Sequence, residues 1–199
     1  MSEGTLNFVA FGASLRKDSY NRKLLLECKR ILEGKASVEL LELGNFPLYS
    51  EELDSNIPEV VSEFKEKVRN SDGFIISSPE YDFTIPGYLK NALDFASRPP
   101  GSNPFAKKIG VIMSASMSML GGARVQYHLR QVMGYLDSRV INKPEVFISF
   151  ANQKFDQNGH LNDPMALQFL TTLLDNLIKD VREDLELREL IKRKQESQN

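Results

Sequence analysis

The sequence of 199 residues contains no tryptophan, a single cysteine, Cys28, and only two histidines, His128 and His160. One cysteine cannot form a disulfide within the chain, and together with two distant histidines it does not supply the clustered ligands of a zinc site. We therefore expect neither an internal disulfide nor a metal. The lack of disulfides also favours a cytoplasmic location.

Long apolar runs are missing as well. The longest, such as 74–76 and 109–113, are far shorter than the ~20 residues that span a bilayer. Residues 1–5 show no basic stretch followed by an apolar one, which is the pattern of a secretion signal. We expect no contact with a membrane.

An excess of either charge is also absent, since 25 basic side chains face 27 acidic ones and the net charge is −2. No dense basic run occurs before residue 192, so the chain lacks the positive field that binds nucleic acid. With 41% apolar residues, the chain has enough material for one buried core. These features predict one globular domain without a nucleic-acid partner.

Strand-like and helix-like patterns alternate five times along this domain. Short apolar runs occupy 6–11, 37–43, 73–77, 109–115 and 146–150. Segments with helical spacing occupy 21–32, 58–69, 86–97 and 122–136, and a last helix begins near Pro164. Because parallel strands need crossover connections, the alternation predicts an α/β fold with a parallel sheet and helices on both faces.

The composition changes near residue 180. Residues 181–199 carry equal numbers of basic and acidic side chains, and several are spaced as i,i+4 pairs. We divide the chain into a domain over 1–180 and a charged helical extension over 181–199. The extension is either a solvated end of the last helix or an arm that contacts a partner through Leu187, Leu190 and Ile191.

The loop over residues 12–21 joins the first strand to the first helix. It offers serine hydroxyls, the guanidinium of Arg16 and the free N–H groups of a helix N-terminus, which together suit a phosphate. The alternative is that Ser19 or Asn21 only caps the helix. The loop matches neither a Walker A motif nor Gly-x-Gly-x-x-Gly, so a monophosphate is favoured over ATP or a dinucleotide.

Two further loops follow the third and fourth strands. In the loop over 79–84, flanking prolines hold backbone amides beside aromatic side chains, which suits a planar heterocycle, although a tight turn capped by Thr84 is the alternative. The loop over 114–122 contains small hydroxylated residues and a glycine pair that let the backbone approach a ligand. Its Met117 and Met119 are alternatively packing residues.

Four segments in these regions together resemble the NAD(P)H-dependent FMN reductase family, the flavodoxin-like quinone, azo-dye and chromate reductases. They are residues 14–21, Pro79-Glu80-Tyr81, residues 85–92, and Gly121-Gly122-Ala123-Arg124 continuing to Arg130. The resemblance implies a flavodoxin-like three-layer sandwich with a five-stranded parallel sheet in the order 2-1-3-4-5. It also implies FMN as cofactor, and NADPH or NADH as co-substrate.

The resemblance assigns a part of the cofactor to each loop. The phosphate is expected at Ser14, Arg16, Ser19 and Asn21. The edge of the isoalloxazine ring is expected, largely through backbone, at Pro79, Glu80, Tyr81 and Asp82, with Ser116 closing the third side. The sequence departs from the family at Ala13, Asp82 and Ser118, where glycine, asparagine and glycine are frequent.

The expected activity is transfer of hydride from NAD(P)H to flavin N5, followed by transfer of electrons to a quinone, flavin, azo or metal-oxyanion acceptor in a ping-pong cycle. No acid or base residue is assigned. Basic Arg16 and Lys17 favour NADPH. The resemblance further implies a homodimer or homotetramer, in which Arg124, Tyr127 and Glu145 could form a subunit contact.

Two other classes of function compete with this one. A flavodoxin-like electron carrier would dock to redox partners without oxidising a nicotinamide, but such carriers are strongly acidic and this chain is not. A serine hydrolase could use Ser14 at a strand-turn-helix bend. That second reading fails the Gly-x-Ser-x-Gly pattern, since Arg16 stands at the final glycine position.

Overall fold

A computed structural model describes residues 4–12 and 14–197. Within these residues the chain forms six strands and five α-helices, which follow one another in the alternation expected from the sequence. The strands are β1 Leu6–Phe11, β2 Ala36–Leu40, β3 Gly73–Ser77, β4 Ile109–Ala115, β5 Arg139–Val140 and β6 Val146–Ile148. The helices are α1 Tyr20–Ile31, α2 Glu59–Asn70, α3 Gly87–Ala96, α4 Ala123–Tyr135 and α5 Pro164–Glu196.

All strands pair in parallel, in the order β2-β1-β3-β4-β5, and β6 also pairs with β4. The predicted order is therefore confirmed, with one addition. The fifth position of the sheet is filled by two short strands, because β5 pairs with the start of β4 at Ile109 and β6 with its end at Ala115. Pro144 lies between them and has no N–H to donate to a continuous ladder.

The two faces of the sheet carry separate helical layers, because alternate side chains of each strand point to opposite faces. On one face, residues such as Phe8 and Val111 pack with α1 and α5. On the other, residues such as Phe11 and Ile112 pack with α2, α3 and α4. Strands β3 and β4 are buried at every residue, as expected for central strands of a three-layer sandwich.

Helix boundaries follow local sequence signals to within a residue or two of the prediction. The Ser19 side chain caps α1, and Asp163 caps α5 by accepting from the Ala166 N–H at 2.8 Å. The sequence predicts Pro58 as the first residue of α2. In the structure Pro58 is the N-cap residue, and the helix begins one residue later, at Glu59. The chain crosses the predicted domain boundary at residue 180 within a single helix, α5.

Two properties bear on the wider sequence predictions. Within the described residues, no helix is both long and apolar enough to cross a membrane. Ala13, one of the departures from the family pattern, lies outside the described residues, as do residues 198 and 199 of the extension. Ser118, a second departure, does not have a positive φ, so its side chain is accommodated without left-handed strain.

Candidate functional site

The β1–α1 and β3–α3 loops lie side by side at the carboxyl end of the sheet. Strands β1 and β3 are neighbours, and the chain leaves β1 in one direction towards β2 and returns to β3 on its other side. Such a reversal of strand order opens a crevice in which doubly wound folds bind ligands. The Ser14 and Tyr81 hydroxyls hydrogen-bond to each other at 2.8 Å and join the two loops.

Helix α3 adds a second connection between these loops. The Tyr88 hydroxyl donates to the Gly12 carbonyl at 3.2 Å, and the Tyr88 ring lies edge-on to Tyr81 with centroids 6.5 Å apart. Burial raises the pKa of the Tyr88 phenol, so the hydroxyl stays protonated and able to donate. Tyr88 therefore links α3 to both loops, a role that the sequence did not indicate.

The start of α1 presents hydrogen-bond donors to this crevice. The Ser19 hydroxyl accepts from the Arg22 N–H at 3.3 Å, which leaves the N–H groups of Tyr20 and Asn21 in the first turn without an acceptor in the helix. The exposed Arg16 guanidinium lies 5.9 Å from the centroid of the Tyr20 ring. A cation and a helix N-terminus converge here, as anion binding requires.

The side chain of Asn21 has a different environment from the one expected of a phosphate ligand. It is buried, its amide donates to the Ala115 carbonyl at 2.8 Å, and its oxygen accepts from the Ala115 N–H and the Ser77 hydroxyl, both at 2.9 Å. Asn21 thus joins α1 to the ends of β3 and β4. Its side chain is therefore engaged within the fold, whereas its backbone N–H in the first turn of α1 has no acceptor in the helix.

The β3–α3 loop contains the tight turn of the alternative interpretation, but Thr84 does not cap α3, because its hydroxyl lies 2.8 Å from the His128 Nδ1 and the cap position is Pro86. Tyr81 and Thr84 exchange backbone hydrogen bonds of 3.1 and 2.9 Å, and the two residues between them, Asp82 and Phe83, have φ of 49° and 66°. Two left-handed residues in a two-residue hairpin form a type I′ turn, in which asparagine and glycine are preferred. The large Phe83 is therefore strained where it stands.

We expect Phe83→Gly to be more stable than Phe83→Ala by about 1 kcal/mol, although glycine normally destabilises a folded chain relative to alanine. Both variants remove the ring and its contact with the Arg124 guanidinium, which lies 4.2 Å from the ring centroid. They differ in whether a Cβ must occupy the left-handed region. Urea unfolding measures the difference, and an alanine variant as stable as the glycine variant contradicts the assigned strain.

Glu80 connects the second loop to the start of α4. One carboxylate oxygen accepts from the backbone N–H groups of Arg124 and Val125 at 2.9 and 3.2 Å, and the other accepts from the Arg124 guanidinium at 3.1 Å. The N-cap residue of α4, Gly122, has φ of 83° and no side chain to cap the helix. Glu80 thus acts as a capping carboxylate for α4 and joins it to the β3–α3 loop.

The β4–α4 loop forms the third side. The Ser116 and Ser118 hydroxyls lie 3.0 Å apart, and the Ser116 backbone bonds to the Ile148 carbonyl and the Ala151 N–H. Gly122 approaches β4 so closely that a Cβ there would lie 2.8 Å from the Ser114 Cβ. The glycine pair therefore lets this loop fold back against the sheet.

Two cavities adjoin between the three loops and share Glu80 and Ser116. The smaller, of about 210 Å³, lies at the N-terminus of α1. The larger, of about 590 Å³, has Phe83, Met119 and Leu120 along its wall. The smaller cavity is lined by Ser14, Arg16, Ser19, Tyr20, Asn21, Pro79, Glu80, Tyr81, Ala115, Ser116 and Met117.

All nine predicted site residues line one or both of these cavities. Asp82 faces the larger, Glu80 and Ser116 face both, and the other six face the smaller. Sequence reasoning missed Tyr20 and the apolar wall of Met119 and Leu120. Which of these side chains line a cavity depends on the tertiary fold, so the local sequence pattern does not predict it.

Neither histidine is placed to activate Ser14. The His128 Nδ1 lies 2.8 Å from the Thr84 hydroxyl, and the His160 Nδ1 lies 3.7 Å from the Glu27 carboxylate. The Ser14 hydroxyl instead bonds to Tyr81. The serine hydrolase hypothesis therefore has no histidine base beside its nucleophile.

Cys28 is fully buried in the core, where burial raises the pKa of its thiol.

The sequence model of a family described as NADPH-dependent FMN reductase matches residues 6–153, which contain all three loops. The chain belongs to the NADPH-dependent FMN reductase family. FMN is accordingly its cofactor, and the site fits that group. The smaller cavity has hydroxyl groups and Arg16 at a helix N-terminus, which suit the phosphate, and the larger, mainly apolar cavity suits the fused rings.

Relatives of this FMN reductase cover more than four fifths of its chain. It is 38% identical over 170 residues to the 2-hydroxy-1,4-benzoquinone reductase of a Burkholderia species, covering 85% of this chain and 93% of the relative. It is 43% identical over 169 residues to the NAD(P)H:quinone oxidoreductase of Solanum tuberosum, covering 81% and 85%. Both relatives are named as quinone reductases.

Among solved structures, the chain is similar to the flavoenzyme FerB of Paracoccus denitrificans, an NAD(P)H:acceptor oxidoreductase. The TM-score is 0.84 at 28% identity, and the match covers 90% of this chain and 98% of FerB. The flavodoxin-like fold is thus shared with a flavoenzyme over almost its full length.

Proposed function

We propose that this FMN reductase takes reducing equivalents from NADPH or NADH and delivers them to a quinone in a ping-pong cycle. The observation that carries the proposal is the pair of adjoining cavities, because the smaller one lies at a helix N-terminus that suits a phosphate and the larger one has an apolar wall that suits planar rings. Both relatives are named for quinone substrates, which supports quinones among the acceptors. Free flavin, azo dyes and metal oxyanions are the other acceptors to test.

The chemistry supplied by bound FMN is acceptance of a hydride from the nicotinamide at N5 and later release of two electrons to the acceptor. The protein positions the reactants. Arg16 and the first-turn N–H groups of α1 would hold the phosphate. The β3–α3 turn at Asp82 and the β4–α4 loop at Ser116 would border the ring. Glu80 holds the β3–α3 loop against the start of α4, and we assign no proton transfer to it.

Anaerobic mixing of the purified yellow protein with NADPH tests the nicotinamide step. Rapid loss of the flavin absorbance near 450 nm (approximate, a property of oxidised flavin), restored by a quinone, supports the reductase. A spectrum that NADPH and NADH both leave unchanged, while a chemical reductant bleaches it, supports the electron carrier instead. Parallel lines in double-reciprocal plots at several quinone concentrations test the ping-pong order.

A homodimer or homotetramer remains part of the proposal. Within one chain, Arg124 pairs with Glu80 and Glu145 pairs with Lys143 at 3.1 Å, so the polar subunit contact would need both groups to accept further partners. Tyr127 is exposed and available for such a contact. Light scattering on the eluted protein measures the mass, and a monomer rules this contact out. The cytoplasmic location stays a prediction from the sequence.

We expect Asp82→Asn to raise the midpoint potential of the bound flavin by on the order of tens of millivolts, because a nearby carboxylate disfavours the added negative charge of the reduced ring. The larger cavity also contains the Arg124 guanidinium, so Arg124→Met should shift the potential in the opposite direction. Redox titration at low and high salt measures both shifts. Since Asp82 is exposed, salt should diminish its effect, and an unchanged potential contradicts the assignment.

A further inference from the structure

The last part of α5 extends past the body of the protein. The helix has 33 residues and is therefore about 50 Å long, but its last buried residue is Val181. Every residue from 185 to 197 is exposed. The Arg188 guanidinium donates to the Lys107 carbonyl at 2.9 Å, and the helix then continues for two more turns. We call residues 182–196 the C-terminal arm.

Ion pairs along the arm account for its helical conformation. Asp184 and Arg188 lie 2.7 Å apart, and Lys192 and Glu196 lie 3.9 Å apart. Such i,i+4 pairs stabilise a helix without any apolar contact. The match to the FMN reductase family model ends at residue 153, so the arm lies outside the matched region.

Three apolar side chains on the arm have no role in that conformation. Leu187, Leu190 and Ile191 are spaced i, i+3 and i+4, so they lie on one face of the helix, and their exposed fractions are 56%, 55% and 47%. Glu183 lies one turn before Leu187 on this face. Lys194 lies one turn after Leu190 on the same face.

The charges beside this face are ordered along the helix. Acidic residues dominate before the apolar triad, at Glu183, Asp184 and Glu186, whereas three consecutive basic residues, 192–194, follow it. A copy of the same helix running in the opposite direction would place its basic end against the acidic end of the first. Parallel helices would instead bring like charges together.

We propose that the C-terminal arm pairs with the arm of a second copy of this chain in the antiparallel direction. In the register that fits both patterns, Leu187 faces Leu190 of the partner subunit and Glu183 faces Lys194 of the partner subunit. A two-fold axis then relates the copies, and both contacts occur twice. The arm is thus an assembly element separate from the flavin site.

The size of this contact determines how strongly it acts. Three apolar side chains from each copy bury much less than the ~1,000 Å² typical of a stable interface. The arms therefore add a weak, concentration-dependent step, or reinforce another contact between the same copies through a raised effective concentration. Salt should weaken the step, because opposite charges flank the triad.

The first test replaces Leu187 and Leu190 together by serine in the full chain with FMN bound. We expect the dissociation constant of the largest assembly, measured by analytical ultracentrifugation, to rise at least about tenfold. FMN content and helicity should not change. Met165→Ser is the matched control, because it removes an exposed apolar side chain at the other end of α5. A parent chain that is monomeric at all concentrations, or a double variant that assembles like the parent, overturns the proposal.

A charge exchange tests the direction of the pairing. Glu183→Lys and Lys194→Glu should each weaken assembly, because each places like charges opposite one another, and the double variant should restore it. A merely structural effect on the helix would not be reversed in this way. Failure of the double variant to recover assembly overturns the antiparallel register.

Disulfide cross-linking gives an independent measure of the register, because Cys28 is buried. An equimolar mixture of Leu187→Cys and Leu190→Cys chains should form mainly the cross-link between unlike chains. Cross-links between like chains alone would indicate parallel pairing, which contradicts the proposal.

Discussion

Arg16→Met is expected to weaken FMN binding by about 10- to 100-fold, because a charged hydrogen bond to an anion contributes about 1.5–3 kcal/mol. Arg16 is exposed at the mouth of the smaller cavity, beside the first turn of α1. Its exposed guanidinium lies beside the Tyr20 ring, from which it can turn towards a phosphate. Methionine keeps the length and the apolar stem of the side chain.

Riboflavin provides the control for this prediction, because it has the flavin ring and the ribityl chain but no phosphate. Titration of the apoprotein, followed by flavin fluorescence, should show a large loss of affinity for FMN and almost none for riboflavin. The preference for FMN over riboflavin should therefore decrease by the same factor as the affinity for FMN. An equal loss for both ligands would mean that Arg16 shapes the loop rather than binds the phosphate.

Glu80→Ala is expected to lower the free energy of unfolding by about 2–3 kcal/mol and to weaken FMN binding as well. The Glu80 side chain is only 11% exposed and supplies acceptors to two backbone N–H groups of α4 that have no other cap. Its removal leaves these donors and the Arg124 guanidinium without their partner. Because the carboxylate also holds two of the three loops together, both cavities should lose their shared wall.

Arg124→Met separates the two parts of this effect. It removes the ion pair with Glu80 but keeps both bonds from the Glu80 carboxylate to the backbone of α4. Arg124 is 44% exposed, so we expect a loss below about 1 kcal/mol. Urea unfolding of the apoproteins measures both variants without the contribution of bound cofactor. Equal losses for Glu80→Ala and Arg124→Met would contradict the capping role.

The fold was predictable because its signals are local. Apolar runs bounded by glycine or proline mark β1 and β3, and Ser19 and Asp163 mark the starts of α1 and α5. The split of the fifth strand was not predictable in the same way. Residues 139–140 are too short to produce a periodic pattern, and they become a strand only because β4 offers free backbone groups beside them.

The candidate site was predictable as a set of loops and less so as a set of roles. Loop composition indicated binding sites for a phosphate and a planar ring, and the nine predicted residues all line the two cavities. The sequence does not reveal that the Asn21 amide is used up between β3 and β4, or that Glu80 caps a helix 44 residues away. Both roles depend on partners that are distant in the chain.

The sequence by itself determined the alternating fold, the order of its loops along the chain, and the resemblance that identifies FMN, because each of these depends on neighbouring residues. The tertiary structure alone decided which side chains are free to meet a ligand. Hydrogen bonds within the fold occupy the Asn21 amide and the Glu80 carboxylate, whereas Arg16 stays exposed. The tertiary structure also decided that three apolar side chains on one face of α5 extend beyond the body, namely Leu187, Leu190 and Ile191, because only the packed domain shows where the core ends.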